Sequence, residues 1–364
     1  MGIDHAERFR LAAGTRVAVM TVAAVLGVSS SDAMAAPDVP VDTPVPVRAM
    51  AAAQPAANGS RLVTARQGPG RLVDLMVHSE SMGRSIAVEV LPAADNSRPA
   101  PTLLLLNGVD GGTDTGIWTD GSNWLTKTDV EEFFADKQVT VVMPVGGGAS
   151  FYTDWLADDP RLGRHRWTTF LTKELPPVVD SAFRGTGASA VAGLSMSSAA
   201  VFQLAIEAPG TYRAVAAYSG CVRTSDPGGQ ALVDAVVIGH QGNPFNMWGP
   251  PTDPRWAAND PYLRAAELRG TAVYVATGNG WPGSLDTLDG PGIHRNPVKL
   301  ADQLLIGGVL DAVADLCTRQ LRDRLRELDI PATFDIRPSG THSWGYWEQD
   351  LHKSWPLLEA ALTR

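Results

Sequence analysis

The chain has 364 residues, of which 44% are hydrophobic and 19% are charged, and its formal net charge is −9. This length and apolar content are sufficient for one large domain with a single core. The acidic balance argues against a nucleic-acid partner, because a phosphate-binding surface needs a basic field.

The N-terminus has the pattern of a secretory signal peptide. Basic residues precede an apolar run over residues 17–28, and residues 33–35 (Ala-Met-Ala) supply a small-x-small cleavage site. The apolar run is too short for a comfortable transmembrane helix, and an uncleaved anchor is the alternative. We therefore expect a signal peptide at residues 1–35, a secreted or cell-envelope location, and no stable transmembrane segment after cleavage.

Residues 36–60 are rich in Ala, Pro and Val and show no amphipathic period, which predicts a linker. A catalytic domain is expected over residues 61–364, where strand and helix patterns alternate. Its first two strands, at residues 72–78 and 84–91, are expected to pair around a turn at residues 81–83.

Further apolar runs predict the strands of a parallel sheet. They cover residues 102–106, 139–143, 189–192, 214–218, 272–276 and 333–336. Helical patterns lie between them, and three of these cover residues 167–180, 196–208 and 309–328. Such alternation implies a mostly parallel sheet with helices on both faces. With the leading antiparallel pair, it predicts an α/β fold of the α/β-hydrolase type.

The segment Gly193-Leu194-Ser195-Met196-Ser197 follows a short apolar strand and opens a helical pattern. This order is typical of a nucleophile elbow, in which a serine on a strained strand-to-helix turn is exposed above the sheet. Small residues are needed around it because two backbones approach closely. Ser197 replaces the second glycine of a strict G-x-S-x-G motif. The segment nevertheless predicts a serine acyltransferase or hydrolase with Ser195 as the nucleophile.

A serine nucleophile needs a general base, and the base needs an orienting acid. In α/β-hydrolases the chain order is serine, acid, histidine. His342 fits the base, since it follows the last predicted strand and lies in an aromatic segment that can exclude water. Position alone leaves the acid open. The candidates are aspartates between the elbow and His342, namely Asp286, Asp289, Asp302, Asp311 and Asp315.

An oxyanion hole needs two backbone N–H donors aimed at the developing negative charge. Met196, the residue after the nucleophile, is expected to supply one of them. The other is expected from the glycine-containing loop at residues 107–112, which follows the strand at residues 102–106. A phosphate site is rejected for this loop, because no GKS/T or G-x-G-x-x-G pattern opens a helix there.

Cys221 and Cys317 are the two cysteines of the sequence. In an exported chain an even number of cysteines indicates a disulfide, and neither residue has a metal-ligand partner at a useful spacing. Two separate buried thiols are the alternative.

Several longer segments support a family resemblance because they occur together and in order. They lie at residues 81–84, 105–108, 141–147, 151–155, 169–176, 193–196, 247–250, 259–261 and 340–344, with Tyr346 and Trp347. In this series the chain resembles the secreted mycolyltransferases of mycolic-acid-containing actinobacteria, the antigen 85 group. The resemblance covers about residue 70 to residue 350.

The resemblance implies catalytic roles for three residues. Ser195 matches the family's acyl-accepting nucleophile, and His342 matches its general base. The family's acid is a glutamate at the start of a helix, and here Asp311 occupies the matching place, with Asp315 as the second choice. Because aspartate is one methylene shorter, its backbone must approach the histidine more closely. The family chemistry needs no metal or organic cofactor.

The resemblance also implies substrate contacts. Val109 and Met196 match the oxyanion donors, whereas the sugar-contacting positions are matched by Asn107, Ser343 and Trp344. Two residues depart from the best-known members: Asn107 stands in place of an aspartate, and Asp110 stands in place of an arginine that contacts sugar. The charge pattern of the sugar site is therefore altered.

The resemblance implies transfer of a mycolyl group from a trehalose glycolipid to a sugar or another envelope hydroxyl through an acyl-enzyme on Ser195. A secreted carboxylesterase with the same triad is the first alternative, and a non-catalytic envelope-binding relative is the second. A disulfide between Cys221 and Cys317 would tie the Ser219-Gly220 loop to the helix that carries Asp311.

Overall fold

The computed structural model describes residues 43–113 and 122–364, and the predicted signal peptide lies outside them. Within these two ranges, no helix has both the length and the apolar character that crossing a membrane requires.

A nine-stranded mixed sheet is the central element of the described fold. Its strands are β1 (Arg61–Gln67), β2 (Val73–Ser79), β3 (Arg84–Leu91), β4 (Ala100–Leu106), β5 (Thr140–Val145), β6 (Gly185–Leu194), β7 (Tyr212–Tyr218), β8 (Ala272–Thr277) and β9 (Thr333–Ile336). The order across the sheet is β1-β2-β3-β5-β4-β6-β7-β8-β9. β1, β2, β3 and β5 pair antiparallel, whereas β5, β4, β6, β7, β8 and β9 are mutually parallel.

Helices lie before, between and after these strands along the chain. They are α1 (Val45–Ala52), α2 (Trp124–Lys127), α3 (Val130–Phe133), α4 (Trp167–Thr169), α5 (Leu175–Phe183), α6 (Ser197–Glu207), α7 (Pro227–Gly239), α8 (Phe245–Trp248), α9 (Arg255–Ala258), α10 (Pro297–Asp302), α11 (Gly308–Glu327) and α12 (Trp344–Leu362). Two π-helical segments, Phe170–Glu174 and Gln303–Gly307, lead into α5 and α11, and a short 3-10 segment spans Ala265–Leu268.

The alternation of side chains along β4 explains why helices lie on both faces. Leu104 and Leu106 pack into one apolar cluster, whereas Leu103 and Leu105 pack into the other. A strand buried on both faces needs a continuous apolar run rather than an alternating pattern. This arrangement confirms the predicted α/β-hydrolase fold.

The prediction of an unstructured linker over residues 36–60 does not hold for Val45–Ala52, which form α1. This helix lies inside that stretch, its Ala49 is fully buried, and the Gln54 N–H that follows it donates to Ser181 Oγ at 2.8 Å. Eight residues with prolines at the helix start are too short to show a clear apolar period. The folded domain therefore begins before residue 61.

Candidate active site

Ser195 occupies the sharp turn between β6 and α6. Its φ of +54° lies in the left-handed region, which is costly for a residue other than glycine. The turn is held by the Ser195 N–H, which donates to Tyr218 O on the neighbouring strand at 2.8 Å. A Cβ atom on Gly193 would lie 2.5 Å from Ser197 Oγ, so a glycine is required there. The geometry is that of a nucleophile elbow.

Ser197 explains how the elbow works without a second glycine. Its fully buried Oγ accepts from the Leu194 N–H at 2.9 Å and lies 2.9 Å from Leu194 O and 3.3 Å from Leu106 O. The hydroxyl therefore fills the small space between β6 and β4 and satisfies backbone groups on both strands.

His342 joins the nucleophile to an acid. Its Nε2 lies 2.8 Å from Ser195 Oγ, and its Nδ1 lies 2.9 Å from Asp311 Oδ1. An ionised carboxylate can only accept, so Nδ1 carries the hydrogen and Nε2 is left free to accept the serine proton. The arrangement matches the serine–histidine–acid geometry of general-base catalysis.

Asp311 lies in the first turn of α11 and is fully buried. Its second carboxylate oxygen accepts from the Gly278 N–H at 3.0 Å. Asp315, the second choice from sequence, is one turn further on and pairs with Arg319 at 2.9 Å. Of the five aspartates that position left open, Asp311 is thus the one hydrogen-bonded to His342.

Glycines allow the short aspartate side chain to reach the histidine. A Cβ atom on Gly278 would lie 2.2 Å from Gly340 O, and one on Gly280 would lie 2.2 Å from Gly308 O. A side chain at either position would push the start of α11 away from the loop that carries His342. In this packing the Asp311 carboxylate lies 2.9 Å from His342 Nδ1.

Asp286 was a candidate acid from its position, but it supports the triad instead. Its carboxylate accepts from Thr341 Oγ1 at 2.5 Å, from Tyr346 OH at 2.9 Å and from Gln303 Nε2 at 2.6 Å. Burial and the hydrogen bond to Asp286 raise the pKa of Tyr346 to about 12, so this hydroxyl remains a donor. Asp286 thereby connects both flanks of His342 to the segment that precedes α11.

The loop after β4 lies directly against the elbow. A Cβ atom on Gly108 would lie 2.9 Å from Leu194 Cδ1 and 3.7 Å from Ser195 Cβ. The next residue, Val109, is held by its carbonyl, which accepts from the Ala149 N–H at 2.8 Å. Within the described residues, the N–H groups of Val109 and Met196 donate to no protein acceptor. Both candidate oxyanion donors are thus available to a ligand.

Aromatic rings surround the histidine. The Trp347 ring meets His342 edge-on at 4.8 Å between centroids, and Trp344 packs against Trp347 at 5.2 Å and against Trp124 at 5.5 Å. Trp344 is partly exposed and Ser343 is nearly buried at the start of α12. These rings limit the access of water to the base.

Asn107 lies beneath the loop that follows β4. Its side chain is fully buried, and its Nδ2 donates to Pro144 O at 3.3 Å. A Cβ atom on Gly112 would lie 2.5 Å from the same Nδ2, so the amide sits beneath the loop. The Asn107 side chain thus lies under this loop, and its Oδ1 is buried without a hydrogen-bond partner among the described residues. The contact of Asn107 with a sugar stays a prediction.

Asp110 is paired with His240, a residue at the end of α7. His240 Nε2 lies 3.1 Å from Asp110 Oδ1, and His240 Nδ1 lies 2.9 Å from Val236 O. Both partners are acceptors, so the arrangement favours the imidazolium form of His240, in which both ring nitrogens donate. The Asp110 hydrogen bond raises the pKa of His240 above its usual 6.5. The pair fixes α7 to the loop that carries Val109.

We expect this pair to make stability depend on pH. Because the folded-state pKa of His240 is raised, its contribution is complete below pH 6.5 and is lost as the pH rises through the raised value. His240→Gln should lower the free energy of unfolding by about 1–2 kcal/mol at pH 6 and by less at pH 9. Urea unfolding of both proteins at the two pH values measures this, and an equal loss at both would contradict the imidazolium.

The disulfide predicted from the cysteine count is confirmed. Cys221 and Cys317 are bonded, with 2.03 Å between the sulfurs. Within the described residues, no cluster of three or more His, Cys, Asp or Glu side chains is suited to holding a metal ion.

Comparisons with known proteins agree with this geometry. The family model described as a putative esterase matches residues 79–358. The diacylglycerol acyltransferase/mycolyltransferase Ag85A of Mycobacterium tuberculosis is 34% identical over 325 residues, which cover 84% of this chain and 86% of that protein. The corresponding Ag85B of Mycobacterium leprae is 32% identical over 84% of this chain and 89% of its own length.

Two solved structures share the fold. MPT51 of Mycobacterium tuberculosis has a TM-score of 0.63 and 26% identity, with 79% of this chain and 97% of that chain covered. The fluorophosphonate-binding serine hydrolase F of Staphylococcus aureus has a TM-score of 0.57 and 18% identity, with coverage of 80% and 99%. At 18% identity, the similarity to the Staphylococcus aureus hydrolase shows a shared fold and nothing about function.

Proposed function

Because the chain belongs to the putative esterase family, and within it to the Ag85-type diacylglycerol acyltransferases/mycolyltransferases, we propose that it moves a mycolyl group from trehalose monomycolate to a sugar or envelope hydroxyl. The observation that carries the proposal is the chain of contacts from Ser195 Oγ to His342 at 2.8 Å and from His342 to Asp311 at 2.9 Å. The chain is thus an acyltransferase, with esterase activity as a related capacity.

The first half-reaction forms an acyl-enzyme. His342 Nε2 accepts the Ser195 proton while Oγ attacks the ester carbonyl. The carbonyl oxygen becomes negative, and the N–H groups of Val109 and Met196 stabilise it. Asp311 holds the imidazolium in orientation. The intermediate then expels the trehalose hydroxyl, which takes its proton from His342.

The second half-reaction returns the enzyme to its starting state. An acceptor hydroxyl enters beside His342, loses its proton to Nε2 and attacks the acyl carbonyl. Oγ leaves, takes back the proton from His342, and the new ester is released. Water competes with the acceptor at this step, so the aromatic rings around His342 favour transfer over hydrolysis.

Apolar side chains beside the triad support a lipid acyl chain as the transferred group. Leu305 and Ile306 are 69% and 49% exposed and lie immediately before Gly307, whose carbonyl accepts from the His342 N–H at 3.1 Å. Val309 and Leu310, the two residues immediately before Asp311, are also exposed. An apolar chain attached to Ser195 can cover such side chains and remove them from water.

The location proposed for this activity is outside the cytoplasm. The Cys221–Cys317 disulfide supports it, because disulfides persist in oxidising compartments. A signal peptide at residues 1–35 remains part of the proposal.

The proposal is tested with purified protein and trehalose monomycolate labelled in its acyl chain. We expect labelled trehalose dimycolate and free trehalose, and a mass increase equal to one mycolyl group on the intact protein at early times. The acceptor that yields dimycolate is a second molecule of trehalose monomycolate, so added trehalose should lower the yield of dimycolate by accepting the acyl group and regenerating the donor. Absence of both turnover and adduct would overturn the proposal.

A secreted carboxylesterase is the second candidate, and the match of residues 79–358 to the putative esterase family favours it. The two activities share the acyl-enzyme and differ in the acceptor. The ratio of free mycolic acid to dimycolate separates them: an ester that is hydrolysed at the same rate with and without trehalose indicates an esterase.

A further inference from the structure

The half of α11 that carries Asp311 is not anchored by large apolar side chains. Its sheet-facing residues are small or polar, namely Gly308, Asp311, Ala314, Cys317 and Thr318. The large side chains of this half point away from the sheet. Val309 is 65% exposed and Leu316 is 58% exposed, and Leu310 and Val313 are exposed as well.

The second half of the helix is packed differently. Leu321 and Leu325 are each 1% exposed and join the main apolar cluster. Apolar burial is the main source of attachment for a helix in a globular domain. The C-terminal half of α11 is therefore anchored by packing, whereas the N-terminal half needs another attachment.

The disulfide supplies that attachment. Cys317 lies six residues after Asp311, and its partner Cys221 lies on the loop that follows β7. This loop supports the elbow directly. Tyr218 O accepts from the Ser195 N–H, and a Cβ atom on Gly220 would lie 2.4 Å from Ser195 O. The covalent link thus connects the support of the nucleophile to the helix of the acid.

We propose that Cys221 and Cys317 are positioning residues that keep Asp311 within reach of His342, in place of an apolar contact. The inference rests on the triad roles assigned above. Reduction by a dithiol transfers two electrons and two protons to the disulfide, which yields two thiols and the cyclic disulfide of the reagent. The N-terminal half of α11 then loses its link to the elbow, and the acid moves relative to the base.

Polar contacts limit the expected loss. Without the disulfide, the Gly278 N–H can still donate to Asp311. Arg223, on the loop after β7, can still donate through Nη1 to Oε1 of Gln320 in α11, at 2.6 Å. Breaking the disulfide should therefore leave the domain folded but loosen the triad. A displacement of about 1 Å at a catalytic group lowers the rate by about 100-fold, so we expect kcat to fall about 10- to 100-fold with little change in KM.

The experiment measures kcat and KM for hydrolysis of a short-chain p-nitrophenyl ester. It compares untreated wild type, wild type reduced by dithiothreitol, and the Cys221→Ala/Cys317→Ala double variant. Leu321→Ala is the matched control, since it weakens the packed half of α11 and keeps the disulfide. We expect the cysteine variant and the reduced enzyme to lose activity, and Leu321→Ala to lose stability with activity retained below its melting point. A cysteine variant with activity within twofold of wild type overturns the proposal.

A second arm separates positioning from general damage. In an Asp311→Asn background the acid is already lost, so removing the disulfide should cost little further activity. An equal loss in both backgrounds would show that the disulfide does not act through Asp311. Hydrogen exchange should also rise at residues 303–317 and not at residues 321–327. The exchange measurement does not require activity, so it tests the inference even if the wild-type protein turns over no ester. A lack of ester turnover by wild type would count against the proposed function and not against this inference.

Discussion

Ser195→Ala should lower kcat by roughly 10⁴- to 10⁶-fold and abolish the mycolyl adduct, because the alanine has no oxygen to carry the acyl group. Small residual hydrolysis is expected from the oxyanion donors that remain. Turnover of trehalose monomycolate and the intact mass after incubation measure the two effects. Labelling by a fluorophosphonate, which reacts with activated serines, should also be absent in Ser195→Ala.

The matched control for this change is Ser85→Ala, an exposed serine on β3. It should retain wild-type turnover, adduct and melting temperature. The elbow should survive in Ser195→Ala, since the backbone N–H that holds it remains. If Ser195→Ala forms the adduct at the wild-type rate, another residue is the nucleophile and the assignment of the site fails.

Asp311→Asn should lower kcat by about 10⁴-fold, close to the effect of replacing the acid in other serine triads. The amide can donate to Nδ1 of His342, which places the imidazole hydrogen on Nε2. The base then cannot accept the Ser195 proton. Gly278 still has an oxygen to bind, so the fold should be retained. The measurement is kcat for ester cleavage, together with the melting temperature.

Two further variants sharpen this prediction. Asp315→Asn should change kcat by less than about twofold, because Asp315 pairs with Arg319 at 2.9 Å, whereas His342 is hydrogen-bonded to Asp311 and Ser195. The kcat of Asp311→Glu should lie between the kcat of wild type and that of Asp311→Asn. The longer side chain keeps the charge, but it must fit where Gly278 and Gly280 allow the backbones to pack closely. A large loss in Asp315→Asn with none in Asp311→Asn would reverse the assignment of the acid.

The parts of the fold that sequence could predict are those with a local pattern. The buried parallel strands were found because each is a continuous apolar run, and Ser195 was found because an elbow has a short sequence signature. The last helix was missed although its signal is present. Trp347, Leu351, Trp355 and Leu358 recur at a helical period, but Pro356 interrupts the pattern.

The parts that sequence could not predict depend on residues distant along the chain. Position could not choose the acid, because the choice depends on how closely the start of α11 approaches the loop of His342. No local pattern relates His240 to Asp110, which are 130 residues apart. The burial of Asn107 likewise depends on the loop folded above it.

The edge position of β1 has a practical consequence for attaching the enzyme to a support. Strands are about 4.8 Å apart, so the five steps from β1 to β6 separate that edge from the elbow by about 24 Å across the sheet. α1 precedes β1 and contacts it, whereas His342 follows β9 at the opposite edge. A surface linker or affinity tag joined ahead of α1 would thus leave the entrance above Ser195 open to large, poorly soluble acyl donors.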